Sequence, residues 1–417
     1  MAKEYVSVGL DIGTSMIRVV VGKSSDEEKT PSIIGVGEAP SGGIRKGVIV
    51  DVEEAVSSIT AALEKAERMT GIPIDHAVVS VGGAHVVSVE SHGVIAVSRA
   101  DGEITEADII RVVDASQAIS IPPNREILHV IPKTFTVDGQ VGIKDPLGMS
   151  GIRLEVDSQI IQASVPFIKN LTKCIIRVGL EIDDLVLSPL ACAQAVLTKR
   201  QKELGCVLIN IGGGTTGISV FEEGELMHTN ILPIGSNHIT NDLAIGMRTS
   251  IDTAEKVKLE YGIAQKQGIA KNDEIDLSKI DGAEDGKVSR QQMAMIIQAR
   301  LEEIFGMINK DLKSIGRDGQ LPAGAILTGA GSMLEGIEVF AKKELRLPVQ
   351  IGVPTNISTV IDRVDEPGFC TAVGLVLWGN EYAKSSPTSQ TFKKFTSRLL
   401  PDAVRDKVTG WFRSILP

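Results

Sequence analysis

Three glycine-bearing segments are the candidates for chemistry in this 417-residue sequence. They read DIGTS at residues 11–15, NIGGGTT at residues 210–216 and LTGAGS at residues 327–332. Glycine lets the backbone approach a phosphate group, successive backbone N–H groups form an anion-binding nest, and Thr and Ser hydroxyls add further donors. One such turn is weak evidence, but three in one chain predict a site for a phosphate-bearing ligand.

The first two segments belong to an internal repeat. LDIG at residues 10–13 corresponds to INIG at residues 209–212, an offset of 199 residues. In both copies a strand-like run ends at a polar residue, turns through Gly and Thr, and is followed by a second strand-like run. The repeat predicts two related α/β halves of roughly 200 residues each.

Two competing phosphate motifs fail on their context. Gly212-x-Gly214-x-x-Gly217 matches the dinucleotide-binding fingerprint, but residues 218–221 predict a strand where that fingerprint requires a helix. The GKS at residues 22–24 resembles the end of a P-loop, but Ile17 stands in the place of its first glycine.

The elements that must position these segments alternate between strand and helix. Strand patterns cover residues 6–11, 16–21, 75–89, 127–137, 154–164, 185–187, 206–211, 217–221 and 324–328. Helical patterns cover residues 52–69, 105–118, 167–178, 190–198, 252–261, 290–314 and 334–345. The alternation predicts an α/β fold. Residues 270–288 are acidic and glycine-bearing, which predicts a surface excursion.

Composition excludes several classes of protein. The net charge is −10 and only 14 residues are aromatic, which argues against nucleic-acid binding. The four cysteines form no CxxC pair, so neither a zinc site nor a disulfide framework is expected. The acid at position 4, within an immediate strand pattern, argues against a signal peptide. The composition therefore predicts a protein that is made in the cytoplasm.

The last 25 residues differ from the rest of the chain. Residues 393–417 have a net charge of +4 against −14 for residues 1–392, and the Ser/Thr/Pro-rich run at 384–391 predicts a linker. One helical face collects the apolar side chains Val404, Val408, Trp411, Phe412, Ile415 and Leu416. A basic amphipathic helix with aromatic anchors predicts an interfacial membrane helix. The alternative is a terminal helix docked on the body.

The order and spacing of the glycine segments resemble the two phosphate loops and the adenosine loop of the actin/Hsp70/hexokinase ATP-binding superfamily. Two further runs, LHVIP at 128–132 and GIKDPLGMSGIRL at 142–154, are similar to the inserted subdomain of FtsA, the family of actin-like bacterial cell-division proteins. The resemblance implies a duplicated actin/Hsp70-like α/β fold, with two ribonuclease H-like halves around an ATP cleft and an FtsA-type inserted subdomain.

The same resemblance implies a division of the chain into six regions. The first actin-like half (subdomain IA) and the inserted subdomain (IC) are expected at residues 1–82 with 163–203 and at residues 83–162, respectively. The second half (IIA) and subdomain IIB are expected at residues 204–251 with 323–383 and at residues 252–322. A flexible linker and an amphipathic membrane-targeting helix are expected at residues 384–400 and 401–417.

The resemblance implies ATP and Mg²⁺ as ligands and places their contacts on matching residues. Asp11 resembles the carboxylate that orients the Mg²⁺ water shell. Donors to the phosphates are expected at Gly13, Thr14 and Ser15 and at Gly212, Gly213, Gly214, Thr215 and Thr216. Ribose and adenine contacts are expected from Gly329, Ala330, Gly331 and Ser332 and from the Glu-x-x-Lys pair Glu255 and Lys258. The alternative for that pair is a solvated i,i+3 salt bridge.

FtsA proteins polymerise and tether filaments of the tubulin-like FtsZ to the inner face of the plasma membrane. The resemblance therefore implies a peripheral protein of the division site, with other copies of itself, the FtsZ C-terminal peptide and an anionic membrane surface as partners. Later division proteins would be recruited through the insert. Residues 297–304 resemble the helix that receives the FtsZ peptide, with Arg300 and Glu303 at the charged positions. The alternative is an ordinary surface pair.

Two positions depart from the family pattern near the γ-phosphate. Asn210 stands where the second phosphate loop usually begins with Asp, and Ser188-Pro189 stands where Glu-Pro often polarises the attacking water; Gln194 could serve if the register differs. We therefore expect an ATP-binding structural protein, not an enzyme, with at most slow ATP hydrolysis. The alternatives are an FtsA-like pilus-assembly protein and a small-molecule kinase of the same superfamily.

Overall fold

A computed structural model describes residues 4–25, 30–99, 101–270, 272–280, 282, 286–359 and 361–385. Within these residues the chain forms the predicted α/β fold, with two related sheets and a third, inserted sheet. Three main hydrophobic clusters lie around these sheets, and the cluster of the first half also includes side chains of the second sheet, such as Leu208 and Ile326. None of the helices in the described ranges is both long enough and apolar enough to cross a membrane.

The chain begins in the sheet of the first half. Its first elements are β1 (Glu4–Ile12), β2 (Met16–Ser25), β3 (Ser32–Pro40), β4 (Ile44–Arg45), β5 (Val48–Ile49), α1 (Val52–Thr70) and β6 (His76–Val81). β1 and β2 form the predicted hairpin, in which Ile12 pairs with Ile17 across the turn. α1 begins where the Asp51 carboxylate accepts a hydrogen bond from the Glu54 N–H, and it ends at Gly71, which adopts a left-handed backbone.

The insert is an antiparallel sheet in the order β7-β10-β8-β9. Its elements are β7 (Val87–Ala96), α2 (Glu106–Ser116), β8 (Arg125–Val137), β9 (Gln140–Ile143) and β10 (Arg153–Ser164). α2 covers the sheet with Ile109, Val112 and Val113, which are almost fully buried. The single strand predicted over residues 75–89 is wrong, because the left-handed turn at Gly83 separates β6 from β7 and sends them to different sheets.

The chain then completes the first sheet and builds the second half. The elements are α3 (Val165–Val178), β11 (Glu181–Leu187), α4 (Ser188–Val196), α5 (Lys199–Leu204), β12 (Cys206–Ile211), β13 (Thr216–Glu222), β14 (Glu225–Leu232), α6 (Ser236–Met247), α7 (Ile251–Tyr261), β15 (Glu274–Asp276), β16 (Lys287–Ser289), α8 (Arg290–Ser314), β17 (Ala325–Thr328), α9 (Ile337–Leu345), β18 (Val349–Ile351), β19 (Ser358–Thr359) and α10 (Cys370–Ser385). The predicted long helix and α8 have the same bounds, and the predicted surface excursion contains the short β15–β16 hairpin.

The two halves have the same strand order, which confirms the internal repeat. The first sheet contains β3-β2-β1-β6-β11 and the second contains β14-β13-β12-β17-β18. In each, three strands form an antiparallel meander and the last two run parallel to the strand at the centre. The turns β1–β2 and β12–β13 therefore occupy equivalent places in the two halves.

The end of the described chain returns to the first half. β19 pairs with β3, and α10 packs so closely on β1 that a Cβ atom at Gly9 would lie 2.3 Å from the Ala372 carbonyl oxygen. Assigning residues up to 383 to the second half was therefore wrong for this helix, which shares the core of the first half. α10 also includes residues 384 and 385 of the predicted linker, whereas the predicted membrane helix at 401–417 lies outside the described residues.

The insert contacts both halves. From β8, the imidazole Nε2 of His129 accepts a hydrogen bond from the Leu187 N–H at 3.0 Å. Lys144, in the family-like run after β9, donates to the Glu203 carboxylate at 3.1 Å and to the Glu223 carbonyl oxygen. A cleft of about 640 Å³ lies beside this contact, between the insert sheet and the β13–β14 turn. The run at 142–154 thus includes a direct link between the insert and the second half.

Asp108 organises the start of α2. Its buried carboxylate accepts hydrogen bonds from the backbone N–H groups of Ser98 at 3.2 Å and Thr105 at 3.0 Å, and from both of their hydroxyls. Burial by itself would raise the pKa of Asp108, but these hydrogen bonds outweigh it and hold the pKa well below its ordinary value.

We expect Asp108→Asn to destabilise the insert by about 1–3 kcal/mol, because an amide leaves some of these donors without an acceptor. Since the folded-state pKa is depressed, the stabilisation by ionised Asp108 is present above the unfolded pKa near ~4 and is lost as the pH falls through the lower folded pKa. Hydrogen exchange of the insert amides, measured against pH, checks both effects. The exposed Asp114→Asn on the same helix is the control, and equal exchange in both variants would contradict the prediction.

Candidate functional site

The predicted first phosphate loop, called the first loop below, is the turn between β1 and β2. A Cβ atom at Gly13 would lie 2.6 Å from the Met16 carbonyl oxygen, so the turn accepts only glycine there. The Thr14 hydroxyl accepts a hydrogen bond from the Gly47 N–H at 3.0 Å, and the Ser15 carbonyl accepts one from the Ser41 N–H at 3.0 Å. The segment that contains β4 and β5 therefore packs around the loop. The sequence did not predict this role, although the glycines at 42, 43 and 47 indicate turns in the segment.

Asp11 lies at the end of β1, beside this loop. Ser80, at the end of β6, donates its hydroxyl proton to the Asp11 carboxylate at 2.9 Å and accepts the Ile12 N–H at 2.9 Å. Burial raises the pKa of Asp11, and the nearby positive charge of Arg18 and the Ser80 hydrogen bond offset part of that rise. Arg18 itself pairs with Glu38 at 2.9 Å. A desolvated carboxylate held in this way is suited to the water shell of a cation, because a nearby cation favours its ionised form.

The predicted second phosphate loop, called the second loop below, is the equivalent turn between β12 and β13. It is fixed to the start of α6, where the Ser236 and Asn237 N–H groups donate to the carbonyl oxygens of Gly212 and Gly213 at 2.9 and 2.8 Å. Thr215 remains partly exposed. Thr216 is fully buried and donates its hydroxyl proton to the Ile234 carbonyl at 2.8 Å, so its side chain holds the strand in place.

The structure brings the two loops into contact. A Cβ atom at Gly213 would lie 2.0 Å from the Ser15 Oγ, and one at Gly214 would lie 2.8 Å from the Thr14 Cγ2. The Ser15 hydroxyl donates to the Asn237 side-chain oxygen at 3.0 Å. The two loops therefore meet at one place, and the absence of a side chain at Gly213 and Gly214 permits the approach.

The third glycine segment packs directly on β12. Gly329 has a φ of 80°, and a Cβ atom there would lie 2.3 Å from the Asn210 side-chain oxygen. A Cβ atom at Gly331 would lie 2.5 Å from the Ile211 side chain. Ser332 is buried and donates to the Gly329 carbonyl at 2.8 Å, so its hydroxyl closes the turn. The segment therefore lies beside the second loop, and its contacts with ribose and adenine stay a prediction.

Glu255 and Lys258 share one face of α7. The Lys258 ammonium donates to the Glu255 carboxylate at 2.6 Å and to the Thr240 hydroxyl at 2.9 Å. The side chain of Lys258 is only 7% exposed, so the alternative of a solvated salt bridge is wrong for this residue. Because Thr240 lies on α6, the pair is tied to the helix whose first turn holds the second loop.

The three polar side chains near the expected γ-phosphate position each donate a hydrogen bond to another group of the protein. Ser188 donates its hydroxyl proton to the Val81 carbonyl at 3.0 Å, and the Asn210 amide donates to the Thr371 hydroxyl at 3.2 Å. Gln194 donates to the carboxylate of Glu381 at 2.8 Å. Burial raises the pKa of Glu381 to about 6. None of the three side chains is itself a carboxylate that could accept a proton from water.

Arg300 joins two helices. Its guanidinium donates twice to the Asp242 carboxylate, at 2.6 and 2.8 Å, and also pairs with Glu303. The side chain of Arg300 is 22% exposed, against 53% for Glu303. The two residues therefore have different surroundings. Arg300 links α8 to α6 through Asp242, whereas Glu303 is exposed to solvent.

Gly235→Ala should disturb the second loop, because the new Cβ would lie 2.4 Å from the Gly212 carbonyl oxygen and 2.7 Å from that of Gly213. Overpacking of this kind costs about 1–3 kcal/mol, and we expect a roughly 5- to 150-fold loss of affinity for Mg²⁺–ATP, measured by equilibrium dialysis. Gly306→Ala on α8 is the matched control, since its Cβ meets nothing within 4 Å. Equal affinities in the two variants would contradict the assignment of this loop.

Comparison with known proteins places this geometry in a family. The model for the cell division protein FtsA matches residues 207–374, and the model for the SHS2 domain inserted in FtsA matches residues 83–162. The cell division protein FtsA of Pseudomonas aeruginosa is 39% identical over 372 residues, which cover 89% of this chain and 88% of that protein.

Solved structures share the fold at low identity. The PilM-PilN type IV pilus biogenesis complex has a TM-score of 0.65 at 16% identity, covering 89% of this chain and 98% of that one. MreB 5 of Spiroplasma citri, bound to AMPPNP, has a TM-score of 0.51 at 14% identity, covering 92% and 98%. The predicted actin-like fold and its insert are confirmed. With a relative 39% identical across most of both chains, this chain belongs to the FtsA family of cell division proteins.

Proposed function

We propose that this chain binds Mg²⁺–ATP between its halves, polymerises, and tethers FtsZ filaments of the Z ring to the cytoplasmic face of the plasma membrane at the division site. The observation that carries the proposal is the meeting of the two phosphate loops, with the Ser15 hydroxyl 3.0 Å from Asn237. Two glycine turns from opposite halves offer backbone N–H groups to the same phosphate chain. A nucleotide held in this way would bias the halves toward one arrangement, the one we expect to polymerise.

The residues present fit a Mg²⁺–nucleotide. Within the described ranges no group of three or more His, Cys, Asp or Glu side chains could hold a metal ion by itself, so the cation would depend on phosphate oxygens and water, with Asp11 orienting that water. Bound Mg²⁺ would supply charge neutralisation for the phosphates. The structural neighbour MreB 5, bound to AMPPNP, supports a nucleotide in this fold.

ATP hydrolysis should be slow. A positioned general base typically contributes 10²–10⁴-fold, and Ser188, Asn210 and Gln194 are hydrogen-bonded to other groups and offer no carboxylate. The backbone donors that bind phosphate do not depend on those side chains. We therefore infer a structural protein for which ATP acts as an assembly ligand.

The membrane contact is assigned to residues 401–417, which lie outside the described residues. Support comes from the sequence, where residues 393–417 have a net charge of +4 and the rest of the chain −14. An anionic membrane surface attracts such a segment, and the apolar face from Val404 to Leu416 would insert. The later division proteins are assigned to the insert.

Deleting residues 391–417 should abolish co-sedimentation of the protein with phosphatidylglycerol vesicles while ATP binding persists. Each large apolar side chain contributes about 1.5–3 kcal/mol on full burial, and interfacial burial favours the lower end. A labelled FtsZ C-terminal peptide should pellet with vesicles only when the full chain is present. Vesicles of phosphatidylcholine, a zwitterionic lipid with no net charge, are the control for charge. Undiminished pelleting of the shortened chain would show that the anchor lies elsewhere.

The FtsZ peptide is assigned to α8 at Arg300 and Glu303. Because Arg300 is committed to Asp242, changing it also loosens α8 from α6, and Glu303 is the cleaner probe. Glu303→Lys should weaken binding of the FtsZ C-terminal peptide by about 1–3 kcal/mol if the contact is charge-assisted. Fluorescence anisotropy of the labelled peptide measures it. Glu302→Lys, an equally exposed neighbour, is the matched control, and an identical response in both variants would remove Glu303 from the site.

A further inference from the structure

A side-chain hydrogen bond joins the first loop to the first turn of α6, which holds the second loop. Ser15 lies in the β1–β2 turn and Asn237 in the first turn of α6, and the Ser15 hydroxyl donates to the Asn237 Oδ1 at 3.0 Å. The backbone N–H of Asn237 donates to the Gly213 carbonyl at 2.8 Å. Asn237 therefore holds the second loop with its main chain and the first loop with its side chain.

This arrangement leaves Ser15 unable to serve a phosphate at the same time. A hydroxyl has a single proton to donate, and here that proton goes to Asn237. A Cβ atom at Gly213 would lie 2.0 Å from the Ser15 Oγ and 3.0 Å from the Asn237 Oδ1, so the three residues are packed against one another. A phosphate oxygen that takes the Ser15 proton must break the hydrogen bond to Asn237.

We propose that the Ser15–Asn237 hydrogen bond is a latch that keeps the phosphate loops together until a nucleotide arrives, and that Asn237 is a positioning residue that limits the rate of nucleotide entry. This inference rests on the proposed nucleotide site. When the terminal phosphates of the nucleotide enter, the Ser15 hydroxyl stops donating to the Asn237 amide oxygen and donates to a phosphate oxygen instead. The loops are then free to separate by the width of the phosphates.

The latch predicts that losing the Asn237 side chain changes the association rate constant of the nucleotide and not its dissociation rate constant. Removing Asn237 removes an interaction that exists before the nucleotide enters, so association should become faster while dissociation is unchanged. If Asn237 instead donated to bound phosphate, its removal would speed dissociation. If it only supported the fold, its removal would lower the affinity without faster association. The association and dissociation rate constants, measured separately, therefore distinguish the latch from the other two roles.

The test is stopped-flow fluorescence with mant-ATP and Mg²⁺ on the full chain. We expect Asn237→Ala to raise the association rate constant about 2- to 10-fold, the worth of one net hydrogen bond, with dissociation unchanged. Asn237→Ser, whose side chain is too short to reach Ser15, should behave alike and serves if the alanine variant does not fold. Asn170→Ala, on an exposed face of α3, is the matched control and should match the unmodified chain.

A double-mutant cycle adds a second readout. Ser15→Ala also breaks the latch, so in the Ser15→Ala background Asn237→Ala should give no further increase in association rate. An unchanged or slower association for both Asn237 variants, or an independent effect in the double variant, would overturn the latch. If the unmodified chain binds no mant-ATP and no ATP in dialysis, the proposed nucleotide site fails, and the latch fails with it; binding with equal rates in all variants overturns the latch alone.

Discussion

The close approach of two glycine turns is the constraint on which the rest of this structure depends. Each turn closes a hairpin at the centre of its own sheet, so its position is fixed by strands buried on both faces. At Gly213 a single added carbon atom would collide with Ser15 from the other half. The duplicated sheets, the packing of α10 on β1 and the attachment of α6 to the second loop each fix the position of one of these turns.

Much of this architecture was predictable because its signals are local. The hairpins at residues 13 and 212 can be predicted from the β-branched runs that flank Gly and Thr. Helix α8 can be predicted from apolar residues that recur at helical spacing over 25 residues after the N-cap Ser289. The repeat between residues 10–13 and 209–212 pointed to two equivalent sheets, and the strand orders agree. Local periodicity and turn chemistry sufficed, since neither depends on knowing which distant segment lies opposite.

The rest depends on partners that are remote in sequence. Ser80 supports Asp11 from 69 residues away, and Asp242 takes Arg300 from 58 residues away. Nothing in the local pattern showed that the Thr216 hydroxyl would donate to the Ile234 carbonyl, 18 residues away. Likewise, nothing in the sequence of α10 shows which half this helix completes. Long-range pairing thus decides which members of a motif can face a ligand.

The return of α10 to the first half has a mechanical consequence. Its core residues Ala372, Val373 and Val376 are fully buried with those of β1, and a Cβ atom at Gly374 would lie 1.7 Å from the Ala191 carbonyl oxygen. The helix is thus packed tightly between β1 and α4. A force applied to the chain beyond residue 385 would reach β1, and with it the carboxylate of Asp11, without first crossing the second half.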